Sequence, residues 1–209
     1  MTALLFTEYV GIASAALSGY LYAVKRECDL LGIFMASFLT ALSGGIIRDV
    51  LVGRDVYSFT HYMPITIVIV VIALAIIFKV HAKRDKLDRS RLFVMTDAID
   101  IVSFAIVGSI IAIEYDYNIF GVVLVAMANG VGGGVCRDIL YNEVPWFMKS
   151  GFYGSICITV GFIYFLMDKV GLTSMFWIMV LFAFGVWLRM LAYDKNWRLP
   201  KIEEGKWVI

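Results

Sequence analysis

Charge is scarce in this chain, and so are the residues that most often do chemistry with it. Of 209 residues, 17% are charged and 61% apolar, with three prolines, three cysteines and two histidines. That balance, with a mean hydropathy of +0.86, lies outside the range of soluble domains and indicates an integral membrane protein. The net charge of +1 says nothing about partners. His61 and His81 stand apart, no GxxxxGK[ST] phosphate loop occurs, and Cys28, Cys136 and Cys157 lack CxxC or Cys/His metal spacing. Zinc, nucleotide and cofactor chemistry are therefore not expected, nor is a nucleic-acid partner, and the cysteines read as free thiols that fill space. Met1-Thr2-Ala3 has no basic n-region, so no cleavable signal peptide is expected.

What the chain does have is a duplication. Ser43-Gly44-Gly45-Ile46-Ile47-Arg48-Asp49-Val50-Leu51 returns as Gly132-Gly133-Gly134-Val135-Cys136-Arg137-Asp138-Ile139-Leu140, 89 residues later. Gly32 and Gly121 sit at the same offset. Matching glycine-interrupted segments in the two halves of a hydrophobic chain point to a site built from broken helices.

Seven apolar stretches are long enough to be membrane spans: roughly 4–24, 30–51, 64–82, 92–113, 118–140, 151–168 and 173–192. Pro64 is tolerated at the first turn of the third, where its missing N–H is no loss. Spans one to three and four to six form two repeats. Three is odd, so the second copy is inverted relative to the first. The expected fold is thus all-α: residues 1–91 a first three-helix repeat, 92–170 its inverted copy, 171–193 a seventh helix and 194–209 a cytoplasmic tail. The basic cluster Lys79, Lys83, Arg84, Lys86, Arg89 and Arg91, with Lys195, Arg198, Lys201 and Lys206, places the C-terminus inside and the N-terminus outside. Arg54 dissents. The same basic run can attract anionic lipid headgroups.

Two readings of the glycines stay open. Gly44-Gly45 in span two and Gly132-Gly133-Gly134 in span five can kink or unwind their helices, freeing carbonyls for a cation. They can also let two backbones approach, but two matching breaks in an inverted repeat favour the kinked reading, with helices two and five kinked at their glycines. Arg48 and Arg137 are expensive in lipid, by roughly 2.5–3.5 kcal/mol at mid-bilayer, and call for a partner unless they snorkel to an interface. Glu8 and Asp97, again 89 apart, are the expected partners, giving Glu8–Arg48 and Asp97–Arg137 ion pairs at the two mouths. Asp100, one turn beyond Asp97, is the candidate cation-facing carboxylate. Asp49 and Asp138 adjoin the arginines and are expected to point away from them, to cap, to pair across helices or to face the path. Small residues at Gly11, Ala15 and Gly19, and at Gly151, Ser155 and Thr159, mark packing faces. Trp146, Trp177, Trp187 and Trp197 read as interfacial or lipid-facing.

At its paired glycine–Arg-Asp motifs the chain resembles the prokaryotic members of the trimeric intracellular cation (TRIC) channel family. Thr96-Asp97-Ala98-Ile99-Asp100 and Trp197-Arg198-Leu199-Pro200 are similar to the wider bacterial family as well. That superfamily also holds bacterial proteins proposed to carry glycine. The resemblance implies a homotrimer of seven-helix protomers, each with its own pore between kinked spans two and five. It also implies potassium as the main permeating ion, in a bacterial or archaeal plasma membrane. Ser43 departs from the pattern, since the first motif has a serine where a third glycine would stand; the hydroxyl adds a possible ligand or stiffens the first kink. The alternative function is a carrier for a small amino acid such as glycine, with helix ends holding the carboxylate and Asp100 the ammonium. An intramembrane enzyme is disfavoured, because the acidic residues lack a histidine or metal-ligand partner.

Overall fold

The structure is a computed structural model that describes residues 3–80, 91–149, 152–197, 199, 201–203 and 206–208. The basic residues Lys83, Arg84, Lys86, Arg89 and Arg198, and the small residue Gly151, lie outside the described residues. Among those described, the chain forms helices α1 (Ala3–Lys25), α2 (Leu30–Val52), α3 (Tyr57–Thr60), α4 (Met63–Ile77), α5 (Arg91–Glu114), α6 (Ile119–Leu140), α7 (Trp146–Lys149), α8 (Gly154–Lys169) and α9 (Met175–Asp194). A small antiparallel pair, β1 (Lys201–Glu203) and β2 (Lys206–Val208), closes the tail. The tail hairpin and the single-turn helices α3 and α7 were not expected.

Five of these helices, α1, α2, α5, α6 and α9, are apolar and long enough to cross a membrane. At 15 and 16 residues, α4 and α8 would reach about 22–24 Å, short of the roughly 30 Å hydrocarbon core. Pro64 sits in the first turn of α4, as expected.

The 89-residue offset extends to local geometry. The single-turn helices Tyr57–Thr60 and Trp146–Lys149 begin and end at that spacing. So do the caps of α2 and α6: Asp29 and Asn118 each use a side-chain oxygen to accept from the N–H three residues on, Gly32 at 2.8 Å and Gly121 at 3.1 Å. An Asp or Asn cap satisfies one of the orphan donors at a helix start. Asp29→Ala and Asn118→Ala should each cost about 1 kcal/mol, read as a lowered thermal midpoint in detergent; an unchanged midpoint in both would show that these caps contribute nothing.

Packing shows how the halves are related. Ser14 Oγ donates to Thr96 O (2.7 Å), while a Cβ on Gly11 would lie 2.9 Å from Ser103 Cβ, so α1 and its counterpart α5 run antiparallel. On α2 and α6, Gly44 abuts Asn129 O and Gly133 abuts Thr40 O. Residue 40 corresponds to 129 and 44 to 133, so these two contacts are images of each other about a pseudo-two-fold axis. Gly19 against Ala36 and Ser37 on α2, and Gly108 against Val125 and Ala126 on α6, repeat the relation within each half. The core is thus α1, α2, α5 and α6, with α4 packed on α1 and α8 on α5 and α6. Helix α9 has no counterpart and packs on α5 and α8.

Small residues are what let this core form. Lipid is as apolar as leucine, so helices associate through close van der Waals contact rather than by expelling water. Gly11, Ala15 and Gly19 on α1 are buried and make such contacts within the chain.

Candidate functional site

Both glycine motifs lie inside continuous helix. Backbone helix runs unbroken through Ser43, Gly44 and Gly45 in α2 and through Gly132, Gly133 and Gly134 in α6, and none of these glycines has positive φ. The expected unwinding is absent. Glycine is used here for approach: a Cβ on Gly44 or Gly133 would collide with the carbonyl oxygen of the opposing helix. Gly132 faces Gly44, whose Cα would be 3.1 Å from an added Cβ. Ser43 takes up its own hydroxyl, which donates to Leu39 O one turn back.

At one end of this crossing lies the first charged cluster. Arg48, 1% exposed, donates from Nη1 to Glu8 Oε1 on α1 at 3.0 Å and from Nε to Asp49 Oδ1 at 2.7 Å. The Glu8–Arg48 pair expected from spacing is present. Asp49 corrects an expectation, because it engages the neighbouring arginine instead of pointing away. Its Oδ2 accepts from Tyr57 N at the start of α3 (2.9 Å), which turns Oδ1 toward the guanidinium. The arginine stem is long enough to fold round the helix and reach it. Arg54 also donates to Asp49 Oδ1 at 2.8 Å, so the charge that dissented from the topology pattern is a structural partner. Two positive and two negative groups neutralise one another here, which is the condition for burying charge at tolerable cost.

The second cluster repeats half of this. Arg137, also 1% exposed, donates to Asp138 Oδ1 from Nη2 (2.9 Å) and Nε (3.0 Å), and Asp138 Oδ2 accepts from Trp146 N at the start of α7 (2.7 Å). Asp138 is therefore the second aspartate that engages its neighbour. The expected Asp97–Arg137 bond is not made. Asp97 Oδ1 instead accepts from the Tyr153 hydroxyl (2.9 Å), and Arg189 Nη2 stands 3.9 Å from Asp97 Oδ2. The reasons are local. Aspartate is one methylene shorter than the equivalent Glu8, and Tyr153 occupies the position where the first repeat has Pro64, which carries no hydroxyl. Arg189 comes from α9, outside the repeat.

Arg189 and Tyr153 are the site residues that sequence reasoning missed. A lone arginine in the apolar stretch Trp187-Leu188-Arg189-Met190 was the available signal. Its guanidinium carbon lies 4.9 Å from the Tyr153 ring centre and 5.5 Å from that of Trp146, a cation–π arrangement. Trp146 is accordingly a packing partner inside the protein, whereas Trp177, Trp187 and Trp197 are exposed. Asp100 is buried on α5 one turn from Asp97. A small recess beside Gly134 is lined by Arg137, Asp138, Trp146 and Tyr153.

Beyond Arg137, the second cluster reaches the surface through Tyr22. The guanidinium carbons of Arg137 and Arg26 lie 4.1 Å and 3.4 Å from the centre of that ring, and its hydroxyl donates to Glu143 Oε2 (2.9 Å). Arg26 completes the contact by donating to Glu143 Oε1 at 2.6 Å. Glu143 stands 89 residues after Arg54, with the charge reversed.

Comparison with known proteins agrees with this geometry. A family model described as Glycine transporter matches residues 5–81 and 94–169, two segments that start 89 residues apart. The chain is 30% identical to the UPF0126 membrane protein YvgT of Bacillus subtilis over 203 residues, 91% of this chain and 92% of the relative. Its fold matches a structure described as the basis for conductance through TRIC cation channels (TM-score 0.82, 33% identity, 95% of this chain and 96% of the other). It also matches a crystal structure of a prokaryotic TRIC channel in 0.5 M KCl (TM-score 0.84, 26% identity, 94% and 98% covered). Both solved relatives are channels rather than enzymes.

Proposed function

The chain belongs to the family described as Glycine transporter and shares its fold with TRIC cation channels, and from that premise we propose a monovalent cation channel that conducts mainly potassium. The observation that carries the proposal is the likeness to a conducting TRIC channel along nearly the whole chain. The site supports it: two buried arginine–carboxylate clusters flank the crossing of α2 and α6, so charge stands at both ends of one potential path.

In this reading α4 and α8 complete seven spans. Residues 1–91 and 92–170 are the two inverted units, 171–193 the seventh helix and 194–209 a cytoplasmic tail, with the N-terminus outside. Three copies assemble, each with its own pore, in a prokaryotic plasma membrane and in contact with its lipids. Cations pass between α2 and α6, by Ser43, Gly44, Gly45, Gly132, Gly133, Gly134 and Asp100. The close crossing at Gly44 and Gly133 is the constriction, and bending at the glycines parts it. Glu8, Arg48 and Asp49 form the outer mouth; Asp97, Arg137 and Asp138 form the inner one.

The family description names a second reading, a carrier for glycine. One experiment separates the two. Purified protein in liposomes is expected to pass K⁺ down a gradient and to show unitary currents in planar bilayers, with both altered in Arg137→Ala and Asp100→Asn. Saturable glycine uptake without unitary currents would establish the carrier. K⁺ conduction that is absent, or indifferent to both substitutions, overturns the proposed path.

A further inference from the structure

The two repeats hold one motif in two different states. In the first, Arg48 reaches across from α2 to α1 and closes on Glu8. In the second, Arg137 closes only on Asp138, on its own helix. Its Nη1 is buried without a hydrogen bond, and so is Asp97 Oδ2, the oxygen that faces Arg189. Tyr153 stands between them: its hydroxyl donates to Asp97 Oδ1, and it lines the same small recess as Arg137. At the equivalent place in the first repeat, those same two groups are joined.

A buried guanidinium N–H and a buried carboxylate oxygen, each without a hydrogen bond, favour any accessible arrangement that joins them. The first repeat demonstrates that arrangement on nearly the same backbone. What holds it off in the second, beside the shorter reach of aspartate, is competition: the Tyr153 hydroxyl occupies Asp97 Oδ1, and the Arg189 guanidinium stands 3.9 Å from Oδ2. Both competitors lack a counterpart in the first repeat.

We propose that the second cluster is a two-state switch, in which Arg137 Nη1 takes Asp97 as Arg48 Nη1 takes Glu8, and that Arg189 and Tyr153 are the positioning residues that hold Asp97 in the unbridged state. The regulatory meaning rests on the channel reading. Bridging α5 to α6 ties off the second mouth, as the Glu8–Arg48 bridge ties α1 to α2 at the first. The unbridged state leaves N–H groups that water can use, and so leaves that mouth wettable. A ligand or substitution shifts such an equilibrium only through its differential interaction with the two states. Removing Arg189 removes an interaction present in one of them.

The test is single-channel recording of the full-length protein in planar bilayers. Arg189→Gln is expected to lower open probability about tenfold, the size of shift that losing one charge-assisted contact produces. Tyr153→Phe, which loses only a hydroxyl, should lower it less. Asp97→Asn placed on Arg189→Gln should restore it, since a neutral amide forms no charged bridge. An unchanged open probability in Arg189→Gln and Tyr153→Phe, or no rescue by Asp97→Asn, overturns the switch while leaving the channel standing. If wild type passes no ions, the channel reading falls, and a second readout decides the switch. Melting temperatures for an Asp97→Asn/Arg137→Gln cycle should show weaker coupling in the wild-type background than in the Tyr153→Phe background, where the bridge can form. Equal coupling in the two backgrounds would end the proposal.

Discussion

Gly133→Ala should cost this protein its native α2–α6 crossing, and Gly44→Ala should do the same from the other side. In each case the added methyl meets a backbone carbonyl, Thr40 O or Asn129 O, which cannot rotate away as a flexible side chain would. Alanine gains up to about 1 kcal/mol in helix propensity. Overpacking of this kind typically costs about 1–3 kcal/mol, and more where backbone must move. The two helices would have to separate along their whole contact, so the larger figure applies. The neighbouring glycines provide the control. A Cβ on Gly45 would come no closer than 3.6 Å to Arg48 Nη2, and one on Gly134 no closer than 3.7 Å to Arg137 Nη2 and Tyr153 Oη. Gly45→Ala and Gly134→Ala should therefore give monodisperse protein with unchanged or slightly raised thermal midpoints, where Gly44→Ala and Gly133→Ala give low yield and early melting. Equal behaviour of all four variants would mean that close approach is not what these glycines provide.

A comparable loss is expected from Arg48→Gln. Its guanidinium is the shared partner of Glu8 and Asp49, both buried. Removing one member of a buried ion cluster leaves uncompensated charge, at about 3–5 kcal/mol. Arg54→Gln is the matched comparison. Its side chain is one-fifth exposed and Asp49 keeps Arg48, so the loss should stay near 1 kcal/mol. Replacing both partners, as in Glu8→Gln with Arg48→Gln, should recover part of the deficit, because two neutral amides can bond to each other. Thermal unfolding in one detergent would rank the three. An Arg48→Gln midpoint no lower than that of Arg54→Gln would place the stabilising centre elsewhere.

These expectations draw unequally on sequence and structure. The repeat was legible because it is written in residue identity: the Arg-Asp pairs, Gly32 and Gly121, and Glu8 and Asp97 all stand 89 apart. Helix bounds for α1, α2, α5 and α6 fell within a residue or two of the hydropathy limits, since burial in lipid demands long apolar helices and little else. The Glu8–Arg48 pair followed from the same spacing. Its counterpart at Asp97 did not, because a repeat predicts only partners inside the repeat, and Arg189 lies outside it. Asp49 and Asp138 cap α3 and α7, one of the expected roles, but their contact with the adjoining arginines was not expected, for a different reason. Angular spacing on a helix describes where a side chain leaves the axis, and takes no account of how far an arginine can bend back or of the N–H that turns the aspartate.

Sequence alone determined that this is a membrane protein made of two copies of one helical unit, each with an Arg-Asp pair and a second carboxylate, Glu8 or Asp97. That information is local and compositional, set by hydropathy and by matching side chains along the chain. Only the tertiary structure decided that the glycines serve approach between unbroken helices, and that the two charged ends differ. Which carbonyl a missing Cβ makes room for, and which of several arginines reaches a buried aspartate first, depend on distances between helices far apart in the chain.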